Sequence, residues 1–198
     1  MALLLVAGLS ATGCREDSRQ APAVVEMQRA DTTTIPDSVK SEMALQLERQ
    51  AVLDRVKTIY NLVKQECFYM GGSVDNDLLD KTFCSKSWNK LLLAVRSKEH
   101  NTNSLFFEVN HWTMFDDEDL VDFDEFEVKD CYVGMGNDRT ATVTFTVYAA
   151  KTYTQARIDL VYEDGQWKID NFYQLKYMMN LRTSMWRYLN NDISIYLL

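Results

Sequence analysis

The chain has 198 residues, 46% of them hydrophobic and 12% aromatic, with 21 Lys and Arg against 29 Asp and Glu for a net charge of −8. That length provides for one domain with a real core plus a short appendage. Its acidity repels phosphate backbones and anionic headgroups, so nucleic acid is excluded as a partner, and so is electrostatic docking on a membrane. There are two histidines, His100 and His111, and four cysteines without a CxxC spacing, so neither a metal site nor a cofactor is expected.

Residues Leu3 to Leu9 read LLLVAGL, and small residues then lead into Cys14. An apolar run this short, followed by small residues, reads as a signal peptide over 1–13 and not as a membrane-spanning helix. The tetrad Ala11-Thr12-Gly13-Cys14 resembles the lipobox of bacterial lipoproteins. The resemblance implies cleavage before Cys14, lipid on its thiol and a bacterial envelope location, with the membrane as partner through that lipid. Ala11 stands where leucine is commoner. Residues 1–13 contain no Lys or Arg, so either basic residues lie upstream of the assigned start or the segment is a buried N-terminal element with an incidental cysteine. Arg15-Glu16-Asp17-Ser18 resembles the signal that sends some Gram-negative lipoproteins to the outer face of the outer membrane; the alternative is a solvated linker. From Cys14 to residue 41 the chain is polar and holds both prolines, Pro22 and Pro36. It reads as a tether with a reach on the order of 30 Å.

A single domain is expected over 42–198. Leu45, Val52, Val56, Ile59 and Val63 recur at helical spacing, which predicts a long amphipathic helix from about Glu42 to Glu66, ended by Gly71-Gly72. A short helix follows, with Asp75 as N-cap and Leu78, Leu79 and Phe83 inward. Another begins after Ser87 and buries Trp88, Leu91, Leu92 and Val95. The period then changes. A strand is expected over Glu125–Val133, and TATVTFTV at 140–147 sets Ala141, Val143, Phe145 and Val147 against four threonines. Ile158, Leu160 and Tyr162 alternate up to Asp164-Gly165, a hairpin turn, and Trp167 and Ile169 alternate on the return. A last helix, about Met179 to Asn190, is expected to bury Leu181, Met185 and Leu189. The fold class is therefore α+β: N-terminal helices packed on a curved, mainly antiparallel sheet, with an extra C-terminal helix.

This order, and above all the hairpin from Ala156 to Phe172 with its Asp164-Gly165 turn and Trp167-Lys168-Ile169-Asp170, resembles the nuclear transport factor 2-like superfamily, whose bent sheet and helices form a cone. The resemblance implies a fold and not a chemistry, since members include isomerases, dehydratases, ligand binders and interaction domains. Candidate binding residues are His111 and Trp112, Asp116 at the head of an acidic run, and Arg157. Residues 116–127 carry eight carboxylates in twelve positions, without the DxDxDG pattern or the glycine of a calcium loop; the run reads as a solvated loop entering an edge strand. A His111–carboxylate pair is one reading of the HW dipeptide, and a Trp filling the core beside a surface His is the other. Cys67 and Cys84, both near helix ends, are the candidate disulfide; the alternative is a set of buried inert thiols. No catalytic set is evident. The leading expectation is a non-catalytic envelope module that binds a protein or a small ligand. The alternative is a small cone-fold hydrolase, isomerase or dehydratase using a carboxylate or His111.

Overall fold

In the computed structural model, residues 37–69, 75–103, 106, 110–115, 126–149 and 152–191 are described. The expected signal peptide, Cys14 and the first part of the expected tether lie outside these residues, as do Gly71-Gly72, Asp116 and the acidic run up to residue 125.

Helix α1 runs Asp37–Tyr69 and so starts five residues before Glu42, inside the stretch expected to be tether. Val52, Val56, Ile59 and Val63 are fully buried, as their spacing requires, while Leu45 is only half-buried. Helix α2, Asn76–Phe83, is capped by Asp75, whose side chain accepts from the Leu78 amide at 3.0 Å. Its inward face is Leu79, Asp80 and Phe83; Leu78 is 52% exposed, against expectation. Helix α3, Lys86–Thr102, is capped by Ser85 and not Ser87: Ser85 Oγ accepts from the Trp88 amide at 2.9 Å. Trp88, Leu92 and Val95 are buried and Leu91 half-buried.

Five antiparallel strands form an open, curled sheet in sequence order: β1 Glu127–Met135, β2 Thr140–Ala149, β3 Thr152–Glu163, β4 Gln166–Gln174 and the two-residue β5 Met179–Asn180. In β2 the expected alternation holds, with Ala141, Val143, Phe145 and Val147 buried. The β3–β4 turn is Asp164-Gly165, with φ of 51° and 79°, the left-handed backbone a two-residue hairpin needs.

Two irregularities bend the ladder. In β1 an extra residue lies between Lys129 and Tyr132, and Asp130 there has φ 51°. In β4 the register with β3 shifts where Leu160 pairs with Ile169 and Asp159 with Asn171. Asp170 is thus the inserted residue, and both Asn171 and Phe172 become buried after it. A single 3₁₀ turn, Leu175–Tyr177, leads through β5 into helix α4, Leu181–Leu189, capped by Asn180. The expected helix start at Met179 is therefore two residues early. Leu181 and Met185 are buried, with Tyr188 where Leu189 was expected; Leu189 is half-buried.

The helices hold to the sheet by apolar packing, supplemented at named points. Tyr60 of α1 meets Phe145 of β2 edge-on at 4.8 Å. Arg55 Nε donates to the Trp167 carbonyl at 3.2 Å, tying α1 to β4. The Ser85 amide donates to the Ile169 carbonyl at 2.8 Å, joining the start of α3 to the same strand. Among the described residues no helix is long and apolar enough to cross a membrane.

Candidate functional site

Helical spacing within α2 creates the site. Residues 79, 80 and 83 share one face, so the burial of Leu79 and Phe83 takes Asp80 inward with them, to 1% exposure. A buried carboxylate must be met by donors. Asp80 Oδ1 lies 2.9 Å from His111 Nε2, 3.2 Å from Trp112 Nε1 and 3.5 Å from Cys84 Sγ. The second oxygen, Oδ2, is buried without a hydrogen bond. It faces Arg96 Nη2 at 3.7 Å, and Arg96 also pairs with the exposed Asp77.

His111 is 2% exposed, so it is not the surface histidine that one sequence reading expected. Its ring sits among Phe172 at 5.0 Å, Trp88 at 5.7 Å and Trp112 at 5.8 Å, centroid to centroid. Trp88 and Phe172 meet at 4.9 Å and Trp112 and Phe172 at 5.1 Å. Interlocking aromatic rings thus surround the imidazole. The two faces of the Asp80 side chain differ: His111 and Trp112 take one, and Arg96 stands at the other.

On that other side a cleft of about 480 Å³ lies between α2, α3 and the β3–β4 hairpin, with Asp77, Asp80, Cys84, Asn89, Leu93 and Arg96 among its lining residues. Lys86 pairs with Asp164 across it at 2.7 Å, and Lys168 Nζ donates to the Thr82 carbonyl at 2.6 Å. A second depression of about 680 Å³ lies between α3 and α4, under the exposed Trp186. Among the described residues no three His, Cys, Asp or Glu side chains gather to hold a metal ion.

Of the residues singled out from sequence, His111 and Trp112 meet on Asp80, a carboxylate the sequence reading did not name. Asp116 lies outside the described residues. Arg157 is elsewhere: its guanidinium pairs with Asp159 at 3.0 Å and lies 4.3 Å from the centre of the Tyr173 ring. Those side chains alternate with the buried Ile158 and Leu160 and so occupy the opposite face of the sheet from the aromatic cluster. Cys84 is a buried free thiol and Cys131 a half-buried one, while the Cys67 side chain lies outside the described residues.

Burial, and after it the neighbouring Asp80 charge, push the Cys84 thiol well above its ordinary range, so it is protonated and inert as a nucleophile. Burial likewise raises Tyr60. Both groups hold in the fold a proton that the unfolded chain releases in alkali. The stability this represents is complete well below the unfolded values, about 8.5 for a thiol and about 10 for a phenol, and is lost as pH rises above them, by up to about 1.4 kcal/mol per pH unit per group. Urea unfolding at pH 8 and pH 10 is therefore expected to show a smaller alkaline loss for Cys84→Ala than for the wild type. Equal losses would mean that the thiol is not shielded.

The chain is, in class, an α+β protein with helices on one antiparallel sheet, an arrangement compatible with a cone-like fold. Comparison with models of known families, with curated proteins and with solved structures gives no match.

Proposed function

We propose that this chain is a bacterial cell-envelope lipoprotein, held to the outer membrane and displayed at the surface through lipid on Cys14, whose domain is a non-catalytic binding module of the nuclear transport factor 2-like kind. The motif Ala11-Thr12-Gly13-Cys14 and the helices-then-meander order with its Asp164-Gly165 hairpin support the two halves of this reading. The observation that carries the choice of binder over enzyme is the packing around His111. A cone-fold enzyme needs its acid or base in an open apolar pocket beside substrate, whereas here Trp88, Trp112 and Phe172 close on the imidazole. The cleft at Asp77 and Arg96, of a size that suits a small ligand, is the binding face.

Two measurements test the halves separately. Metabolic labelling with a fatty-acid analogue is expected to mark the wild type and not Cys14→Ala; equal labelling of both removes the anchor. A small-molecule screen by NMR is expected to shift resonances of Asn89, Leu93 and Arg96 and leave the indoles of Trp88 and Trp112 unmoved. Ligands that shift the indoles instead, or emerge chemically changed, would replace the binding module by an enzyme.

A further inference from the structure

Asp80 is hydrogen-bonded on one oxygen, while the other has only the loose ion pair with Arg96. Oδ1 is surrounded by His111, Trp112 and Cys84, but Oδ2 is buried and accepts no hydrogen bond. A carboxylate oxygen taken out of water and left unmatched is unfavourable, and a charged N–H donor is the strongest available partner for it. The nearest cation, Arg96, stands too far off at 3.7 Å to supply one. Its other terminal nitrogen is engaged by Asp77, whose side chain is 55% exposed. An ion pair that open to solvent holds weakly, so the Arg96 side chain, itself 36% exposed, is free to swing outward. If it does, two carboxylates are left facing the cleft, with the exposed Leu93 also lining it.

Of the other cations lining the cleft, Lys81, Lys86 and Lys168, the last two are engaged elsewhere. Lys86 pairs with Asp164, its amide donates to Glu163 Oε2, and Lys168 binds the Thr82 carbonyl. Two carboxylates are also too few for a metal cage: His111 and Cys84 engage the other oxygen of Asp80, and among the described residues no three such side chains are placed to hold an ion. What fits is a cation that brings its own N–H donors.

We infer that the Asp77–Asp80 end of the cleft receives the guanidinium or ammonium head of a small molecule, and that Arg96 occupies this position as an internal stand-in until the ligand displaces it. This rests on the reading of the domain as a binding module. Arg96 then sets the threshold for binding: the occupied form must open first, and the apparent affinity falls by the fraction that is open.

Titration calorimetry of the full chain with agmatine tests this. Arg96→Ala is expected to bind agmatine about tenfold more tightly than the wild type, because the competing side chain is gone. Arg96→Gln, which keeps the length but not the charge, should show the same gain and guards against a folding defect in the alanine variant. Adding Asp77→Asn to either should remove the gain, and methylurea, a neutral planar mimic of the guanidinium, should bind none of them. Folded Arg96 variants with unchanged or weaker agmatine affinity overturn the proposal. So does a gain that survives Asp77→Asn. In either case, small molecules other than cations that shift Asn89 and Leu93 in the NMR screen would leave the binding module standing without its amine site. Conversion of agmatine to a new product overturns both together.

Discussion

His111→Ala is expected to destabilise the domain by about 3–5 kcal/mol, the combined cost of depriving a buried carboxylate of a hydrogen-bond partner and of opening a cavity among aromatic rings. The ring contributes twice. Its Nε2 meets Asp80 Oδ1 at 2.9 Å in a site where both residues are almost wholly buried, and its faces fill the space between Trp88, Trp112 and Phe172. Alanine would leave the carboxylate with the Trp112 indole and the Cys84 thiol, and would open a void among the aromatic rings. The two losses separate in a double-mutant cycle. Asp80→Asn keeps the shape but removes the charge, so on that background His111→Ala should cost clearly less than alone, leaving mainly the packing loss. Additive costs in the cycle would mean that the imidazole is a space-filler and the 2.9 Å contact carries no energy.

This network is a structural use of groups that elsewhere do chemistry. An imidazole and a thiol, each within 3.5 Å of one carboxylate oxygen, have the composition of a catalytic set. Here both other groups converge on a single carboxylate oxygen, the thiol keeps its proton, and rings close around the imidazole. The accessible part of the cluster is its opposite side, where Asp80 Oδ2 and Arg96 adjoin the cleft. Function and stability therefore meet at Asp80: donors on Oδ1 fix the carboxylate in place, and that fixity presents Oδ2 in a constant position to whatever enters beside Arg96.

Where the pattern in the sequence was periodic, it was legible. Val52, Val56, Ile59 and Val63 step along one helix face, and Val143, Phe145 and Val147 alternate along one strand; all are buried. The readings that departed did so where tertiary contacts override a local rule. Leu78 is exposed because Asp80 takes the inward position, a preference only its distant partners at 111 and 112 explain. Helical spacing puts position 80 on one face with Leu79 and Phe83, but nothing local to an acidic residue there names His111 as its partner. The bulge at Asp170 was likewise hidden, since strict alternation after Trp167 and Ile169 would bury residue 171 and expose 172. The inserted residue turns Asp170 toward Ser85 and Arg182 and buries Phe172 against His111. The aromatic half of the site thus depends on one extra residue in β4, which no composition or spacing announces.

Phe145→Ala is expected to cost about 3–5 kcal/mol, the range for removing a large aromatic side chain from a core that cannot collapse around the gap. Phe145 is 1% exposed, lies on β2 between β1 and β3, and meets Tyr60 of α1 at 4.8 Å, so it joins the long helix to the interior of the sheet. Relaxation is restricted there: β2 is hydrogen-bonded on both sides, and β1 carries its extra residue between Lys129 and Tyr132, the stretch that flanks Phe145 on the neighbouring strand. The next residue along the strand provides the control. Thr144 lies on the opposite face, between Tyr132 and Arg157 in the ladder, and is only half-buried. Thr144→Ala is expected to cost under about 1 kcal/mol, chiefly in strand preference. Urea unfolding of the two variants reads the register directly, because a one-residue slip exchanges the faces. Should Thr144→Ala prove the costlier of the two, the buried face of β2 would be the threonine face, and the packing of α1 on this sheet would have to be redrawn.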